Sequence, residues 1–156
     1  MAHTHDARIL WERGDQPFTD RKYSRAHSWY FDGGAVVKGS PSPSIVREPL
    51  SDPAGIDPEE AFVAALSSCH MLFFLDLASR EGYRVDRYCD DAVGHMTRNE
   101  AGRHFISRVE LRPDIAFSGD NVPDAGAIEA LHHKSHDLCF IANSVLAEVV
   151  VLPPED

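Results

Sequence analysis

A long helix is the element that the sequence predicts most firmly. Asp57 is a good N-cap residue, Pro58 suits the first helical position, and the acidic pair Glu59 and Glu60 suits the positive end of the helix dipole. Gly82 supplies a stop signal. These signals predict a helix that begins at Pro58 and ends at about residue 80.

The predicted helix is apolar on nearly every side. Between Ala61 and Ala78 the clearly polar residues are Ser67, Ser68, His70 and Asp76. A helix that is apolar nearly all round is buried, so we expect this one to form the centre of the core. Because no apolar stretch reaches the roughly 18 to 20 residues that a membrane span needs, we expect no contact with a membrane.

The rest of the chain predicts an α+β fold. A β-rich run, the turn Asp32-Gly33-Gly34 and a second β-rich run predict a hairpin over residues 26–38. Four prolines make residues 39–56 a surface loop. The order of strands, buried helix, strands, helix and strand is an α+β order. The other expected elements are strands at 7–13, 83–97, 103–117 and 145–152, and a second helix at 124–138.

Composition and charge limit the classes of function. The 156 residues suit one domain, 1–156, with an N-terminal strand and loop over 1–20 and a core over about 20–152. A net charge of -10 argues against a nucleic-acid partner. Three cysteines are too few for a disulfide scaffold, and the N-terminus does not have the pattern of a secretory signal. We therefore expect a cytoplasmic protein with reduced thiols.

Two cysteines lie in similar surroundings. Cys69 follows Ala64-Ala65-Leu66-Ser67-Ser68, and Cys139 precedes Phe140-Ile141-Ala142-Asn143; each has a histidine within three residues. A single cysteine in an apolar helix is usually inert packing. A pair in such settings favours redox chemistry instead. Cys89 lies between a tyrosine and two aspartates, which disfavour a thiolate, so we expect it to fill space.

The segment Asp57-Pro58-Glu59-Glu60-Ala61-Phe62, followed after six residues by Cys69, resembles the OsmC/Ohr family of osmotically inducible and organic hydroperoxide resistance proteins. The segment around Cys139 resembles the second cysteine segment of that family, although Phe140 stands where the family often has proline. The resemblance implies antiparallel sheets wrapped around two central helices in an intertwined homodimer. It implies no metal, flavin or haem.

The resemblance also implies a thiol peroxidase for organic hydroperoxides. Cys69 would attack the peroxide, and Cys139 would resolve the sulfenic acid as a disulfide that an external dithiol reopens. A nearby arginine must stabilise the Cys69 thiolate, and Glu59 would hold that arginine. Arg25 matches the family best, with Arg47 and Arg21 as alternatives.

The separation of Glu59 and Cys69 raises a question of geometry. Ten residues of one helix span about 15 Å, which an arginine does not easily bridge. Either the helix breaks between them, or Glu59 and its arginine serve Cys69 of a partner subunit. The second arrangement is the one we expect. The aromatic residues available to line an apolar pocket for the substrate are Trp29, Phe62, Phe73, Phe74 and Phe140, although single aromatic residues more often belong to the core.

Two other functions fit the sequence. The first is a non-catalytic binder of a small apolar ligand, with an idle or regulatory cysteine pair. The second is a zinc protein that uses Cys69, Cys139 and His136. His132 and His136 lie one helical turn apart, a spacing that would suit a metal ion. We nevertheless expect these two histidines, and also His70 and His133, to be solvated.

Overall fold

The computed structural model describes residues 3–153, which have the expected α+β composition. Contacts divide the chain into two compact units, one ending at Ala61 and the other beginning at Phe62. The first and last residues of the predicted domain 1–156 lie outside the described residues.

The first unit is built on a three-stranded antiparallel sheet in the order β1-β2-β3. Its strands are β1 (Ala7–Leu10), β2 (His27–Phe31) and β3 (Val36–Gly39), so the first strand is shorter than predicted and the hairpin is confirmed. Gly34 has φ 84° in the hairpin turn, a conformation that favours glycine. The loop that follows β3 carries the chain to the long helix.

The long helix α1 (Pro58–Arg80) has the predicted bounds. The Asp57 side chain accepts a hydrogen bond from the Glu60 amide at 2.7 Å, and the Asp57 amide donates to the Glu60 carboxylate at 3.1 Å. This reciprocal pair is a capping box. Gly82 follows the helix with φ 79°. Glu60 therefore caps the helix in addition to suiting the positive end of its dipole.

The expectation that α1 is buried all round is wrong for this chain. One stripe of the helix is fully buried, while Leu72 on another face is 60% exposed. Between these faces the apolar side chains are half-buried. By length and composition α1 is also apolar enough to cross a membrane, contrary to the sequence expectation. The buried stripe consists of Leu66, His70, Phe74 and Ala78.

The described part of the second unit, residues 62–153, holds five strands in two sheets. The two long strands predicted at 83–97 and 103–117 are each divided, because the Asp90 carboxylate accepts hydrogen bonds from the Arg112 amide at 2.6 Å and from Ser67 at 2.5 Å. The outer halves pair as β4-β7, and the inner halves join the last strand as β5-β6-β8. All pairs are antiparallel except β6 with β8. The strands are β4 (Arg84–Asp90), β5 (Val93–Arg98), β6 (His104–Leu111), β7 (Pro113–Ser118) and β8 (Glu148–Val151).

The second helix, α2 (Ala125–Leu138), confirms the prediction, and the last strand is shorter than predicted. Asp124 caps α2 by accepting a hydrogen bond from the Ala127 amide at 2.8 Å. Two apolar clusters form the core of this unit. One joins Leu66 of α1 to Val109 and Leu111 of β6, and the other joins Phe74 and Ala78 of α1 to Leu131 of α2.

Candidate active site

The structure brings Cys69 and Cys139 into contact. Cys69 is half-buried in the middle of α1, and Cys139 is completely buried at the C-terminal end of α2. The two thiols are free and lie close enough to each other for Cys69 to influence the pKa of Cys139. The third cysteine, Cys89, lies in β4 opposite Asp114. The sequence therefore identified the two cysteines that meet in the fold.

Backbone contacts fix Cys139 in place. Its amide donates to the Ser135 carbonyl at 2.9 Å, and the Ala142 amide donates to its sulfur at 3.4 Å. Burial raises the pKa of the Cys139 thiol; the Ala142 amide opposes this shift, and the neighbouring Cys69 adds to it. Cys139 therefore holds its proton more firmly than an ordinary thiol.

An apolar cavity of about 460 Å³ opens beside Cys69. Its walls come from one stripe of α1 and from the two residues after Cys139. The Phe73 and Phe140 rings meet edge to face with centroids 5.1 Å apart, although Phe140 is 72% exposed. The lining residues are Ala65, Ser68, Cys69, Leu72, Phe73, Asp76, Phe140 and Ile141.

Only some of the predicted aromatic residues line this cavity. Phe73 and Phe140 do, whereas Phe74 is buried against Leu131 and Phe62 packs against the cluster around Leu66. Trp29 lies in the first unit, where its indole N–H donates to His27 at 2.7 Å. The sequence could not separate these roles, because aromatic residues are equally suited to a cavity wall and to a core.

Glu59 is half-buried in the first turn of α1. The helix runs without a break from Glu59 to Cys69, which excludes the first of the two expected arrangements. Within residues 3–153 the Glu59 carboxylate has no hydrogen bond or ion pair, so the expected ion pair with Arg25 is absent from the single chain.

Arg25 is half-buried just before β2. Its guanidinium donates to the Tyr23 carbonyl at 3.2 Å and lies 4.5 Å from the centre of the Tyr23 ring. The two alternatives, Arg21 and Arg47, are exposed. Arg25 also borders a cavity of about 390 Å³ in the first unit, with Ile9, Trp11, Phe18, Tyr23 and His27.

Behind the thiols lies a pair of histidines that we expected to be solvated. His70 of α1 is 1% exposed, and its Nε2 is hydrogen-bonded to Nδ1 of His132 of α2 at 3.0 Å. Burial lowers the pKa of each ring to about 4. The sequence did contain one signal of this pair, since His70 is a polar residue inside the apolar run of α1. In the described part of the chain no three His, Cys, Asp or Glu side chains are placed to hold a metal ion, so the zinc site of Cys69, Cys139 and His136 has no support.

Known proteins share this fold and its order of elements. Residues 51–152 match the family model described as OsmC-like protein. An OsmC-like protein of unknown function from Vibrio cholerae is 50% identical and matches with a TM-score of 0.95 over 97% of this chain and 99% of the other. A search of curated proteins found no match.

More distant structures include organic hydroperoxide resistance proteins. The one from Elizabethkingia anophelis is 17% identical, with a TM-score of 0.72 over 100% of this chain and 99% of the other. The protein OhrB from Bacillus subtilis is 16% identical, with a TM-score of 0.63 over 97% of each chain. These two likenesses concern the fold. Because the family model covers most of its length, the chain belongs to the OsmC-like family.

Proposed function

We propose that the protein is a thiol-dependent peroxidase that reduces organic hydroperoxides through Cys69 and Cys139. The observation that carries the proposal is the pair of neighbouring free thiols, one of which lines an apolar cavity. Structures of the same fold that are named organic hydroperoxide resistance proteins support it.

The chemistry proceeds in two steps. The Cys69 thiolate attacks the outer peroxide oxygen, the O–O bond breaks, and the departing alkoxide takes a proton and leaves as the alcohol, so that Cys69 becomes a sulfenic acid. The Cys139 sulfur then attacks the Cys69 sulfur, and an S–S bond forms as water leaves. An external dithiol reduces the disulfide and restores both thiols.

The roles follow from the different surroundings of the two thiols. The half-buried Cys69 lines the cavity and can meet a peroxide. The fully buried Cys139, whose pKa is raised by burial, keeps its proton until the sulfenic acid forms beside it. A thiol that is protonated and shielded is a poor first nucleophile, which fits the resolving role.

Arg25 and Glu59 complete the site in a homodimer. Cys69 needs a cation, because the thiolate is the form that attacks a peroxide and a positive charge stabilises it. The unbroken helix separates Glu59 from Cys69 by about 15 Å, so Glu59 and Arg25 serve the partner subunit's thiol. The half-buried carboxylate of Glu59, without an ion pair in residues 3–153, supports this arrangement. The protein works in the cytoplasm, where dithiol reductants are available.

A steady-state assay tests the proposed activity. With a dithiol as reductant, the wild-type protein consumes cumene hydroperoxide with a higher kcat/KM than hydrogen peroxide, because the cavity is apolar. Cys69→Ser abolishes consumption, and the matched control Cys89→Ser retains it. Equal rates for wild type and Cys69→Ser would contradict the proposal.

The second candidate is a non-catalytic binder of a small apolar molecule. It is favoured by the apolar lining of the cavity beside Cys69, which a small apolar molecule could fill without any reaction of the thiols. The binder would take up an apolar ligand in the cavity and lose its thiols to hydroperoxide no faster than free cysteine does. Rapid thiol loss would exclude it.

A further inference from the structure

Side-chain contacts join the two helices along one line. The thiols of Cys69 and Cys139 meet at one end, next to the edge-to-face rings of Phe73 and Phe140. Further contacts are made by Leu131, which packs with Phe74 and Ala78, and by His132, which is hydrogen-bonded to His70 and has its ring tilted against Phe74 with centroids 4.5 Å apart.

His70 occupies an unusual place on the buried stripe of α1. The residue one turn before it, Leu66, belongs to one apolar cluster, and the residue one turn after it, Phe74, belongs to the other. A leucine would fill this position without cost, whereas a buried polar ring is destabilising unless it is hydrogen-bonded. The 3.0 Å contact with His132 supplies that bond at Nε2, whereas Nδ1 of His70 is buried without a hydrogen-bond partner among the described residues. Apolar packing tolerates small slides between helices, but a buried hydrogen bond favours one alignment.

The histidine contact lies next to the thiol contact in the chain. His70 directly follows Cys69, and His132 precedes Cys139 by seven residues, about 10 Å along α2. The two contacts therefore fix α2 on α1 at two separate points. Disulfide geometry is narrow, with Cα atoms about 4.4 to 6.8 Å apart, so a small slide of one helix separates the sulfurs.

We propose that the buried His70–His132 hydrogen bond is a positioning contact that holds Cys69 and Cys139 within reach of disulfide formation. Both histidines act through the thiols and do not touch the substrate. The consequence for peroxide chemistry rests on the proposed function: when the bond is lost, the Cys69 sulfenic acid waits longer for Cys139 and a second hydroperoxide molecule oxidises it to sulfinic acid.

Thiol–disulfide equilibrium with glutathione measures the positioning directly. Oxidised glutathione converts the two thiols to the protein disulfide and becomes two reduced glutathione molecules, so the equilibrium ratio gives the effective concentration of one thiol at the other. All proteins carry Cys89→Ser to remove the third thiol. The equilibrium is measured only for variants that circular dichroism shows to be folded.

Two substitutions at one position form the matched pair. His70→Gln keeps a polar atom at the position of Nε2, and His70→Leu removes it while filling similar space. We expect the effective concentration to fall about tenfold in His70→Leu, as the loss of one buried hydrogen bond implies, and to stay within about threefold of wild type in His70→Gln. Under hydroperoxide, mass spectrometry should show more Cys69 sulfinic acid in the leucine variant than in the glutamine variant.

A folded His70→Leu protein with the wild-type effective concentration would overturn the proposal. If His70→Leu does not fold, the same effective concentration is measured for His132→Leu, which removes the hydrogen bond from the side of α2. If neither leucine variant folds, the hydrogen bond is needed for the stability of the whole fold. That result would also contradict a specific positioning role. The glutathione measurement needs no hydroperoxide, so it tests the positioning role independently of peroxidase activity. A protein whose thiols form the disulfide as expected but which does not consume hydroperoxide would refute the proposed function and leave the positioning role intact.

Discussion

At the scale of single residues, burial separates two chemically identical thiols. Cys139 has no exposed surface and a pKa raised by burial, whereas Cys69 borders the cavity. Motif spacing predicted that these two residues would be paired, because the flanking residues of both were informative. It did not predict the histidine pair, because the hydrogen bond between His70 and His132 joins residues far apart in the chain.

Removing the resolving thiol should expose Cys69 to over-oxidation. Cys139→Ser is expected to react once with cumene hydroperoxide and then to accumulate sulfinic acid at Cys69, because no second thiol captures the sulfenic acid. Mass spectrometry of the Cys69 peptide checks this, with Cys89→Ser as the control that still forms the disulfide. A Cys69 thiol that stays reduced in Cys139→Ser would contradict the assignment of roles.

Phe140 should influence which hydroperoxides react. Its ring contacts Phe73 edge to face at the cavity wall, and such pairs are worth about 0.5–1.5 kcal/mol. Phe140→Ala is expected to lower kcat/KM for cumene hydroperoxide by about two- to tenfold and to leave kcat/KM for hydrogen peroxide unchanged. An equal loss for both substrates would show that Phe140 supports the fold rather than the selection of substrate.

At the scale of elements, the helices were predictable and the breaks between strands were not. Local capping signals at Asp57 and Asp124 gave the starts of both helices. The division of the long strands depends on the contact of Asp90 with Arg112, which no local pattern reveals. The apolar surface of residues 61–78 is more than one small domain readily covers, but the sequence does not show which face of α1 is left exposed.

The contact between α1 and α2 should weaken in acid. His70 and His132 have folded pKa values of about 4 against 6.5 for a free histidine, because burial favours the neutral rings. Their contribution to stability is therefore present above pH 6.5 and is lost as the pH falls towards 4. The titratable groups around them are His136 of α2, which lowers the pKa of His70 further, and Tyr88 of β4, which packs on Phe74.

Thermal unfolding at a series of pH values checks this expectation. The Tm of the wild type should fall more steeply between pH 6.5 and pH 4 than the Tm of the double variant His70→Gln/His132→Asn, which has no ring to protonate at these positions. Parallel curves for the two proteins would show that the histidine pair does not contribute to acid sensitivity.

At the scale of the whole molecule, the exposed apolar face of α1 is the surface that the proposed homodimer would cover. Leu72 is 60% exposed and Phe140 is 72% exposed beside the proposed reactive thiol. Exposed apolar surface of this kind is typical of an interface. A homodimer would cover this face and would bring Glu59 and Arg25 of one subunit to Cys69 of the other.

Subunit mixing tests the shared site. Glu59→Ala and Cys69→Ser homodimers are each expected to be inactive, whereas a purified heterodimer of the two should regain about half of the wild-type activity, because one complete site remains. A heterodimer of Cys69→Ser with Cys139→Ser is the matched control and should stay inactive, because the thiol pair lies within one subunit and each subunit of this heterodimer lacks one of its two thiols. An inactive Glu59→Ala/Cys69→Ser heterodimer, or a monomer at working concentration, would contradict sharing.

The most direct test of the thiol-peroxidase mechanism is a single turnover. The reduced protein is mixed with one equivalent of cumene hydroperoxide per chain, and the products are mapped by mass spectrometry. The mechanism predicts rapid formation of one equivalent of cumyl alcohol and of a disulfide between Cys69 and Cys139, with Cys89 still reduced. Unconsumed hydroperoxide with both thiols free, or a disulfide that includes Cys89 instead, would contradict it.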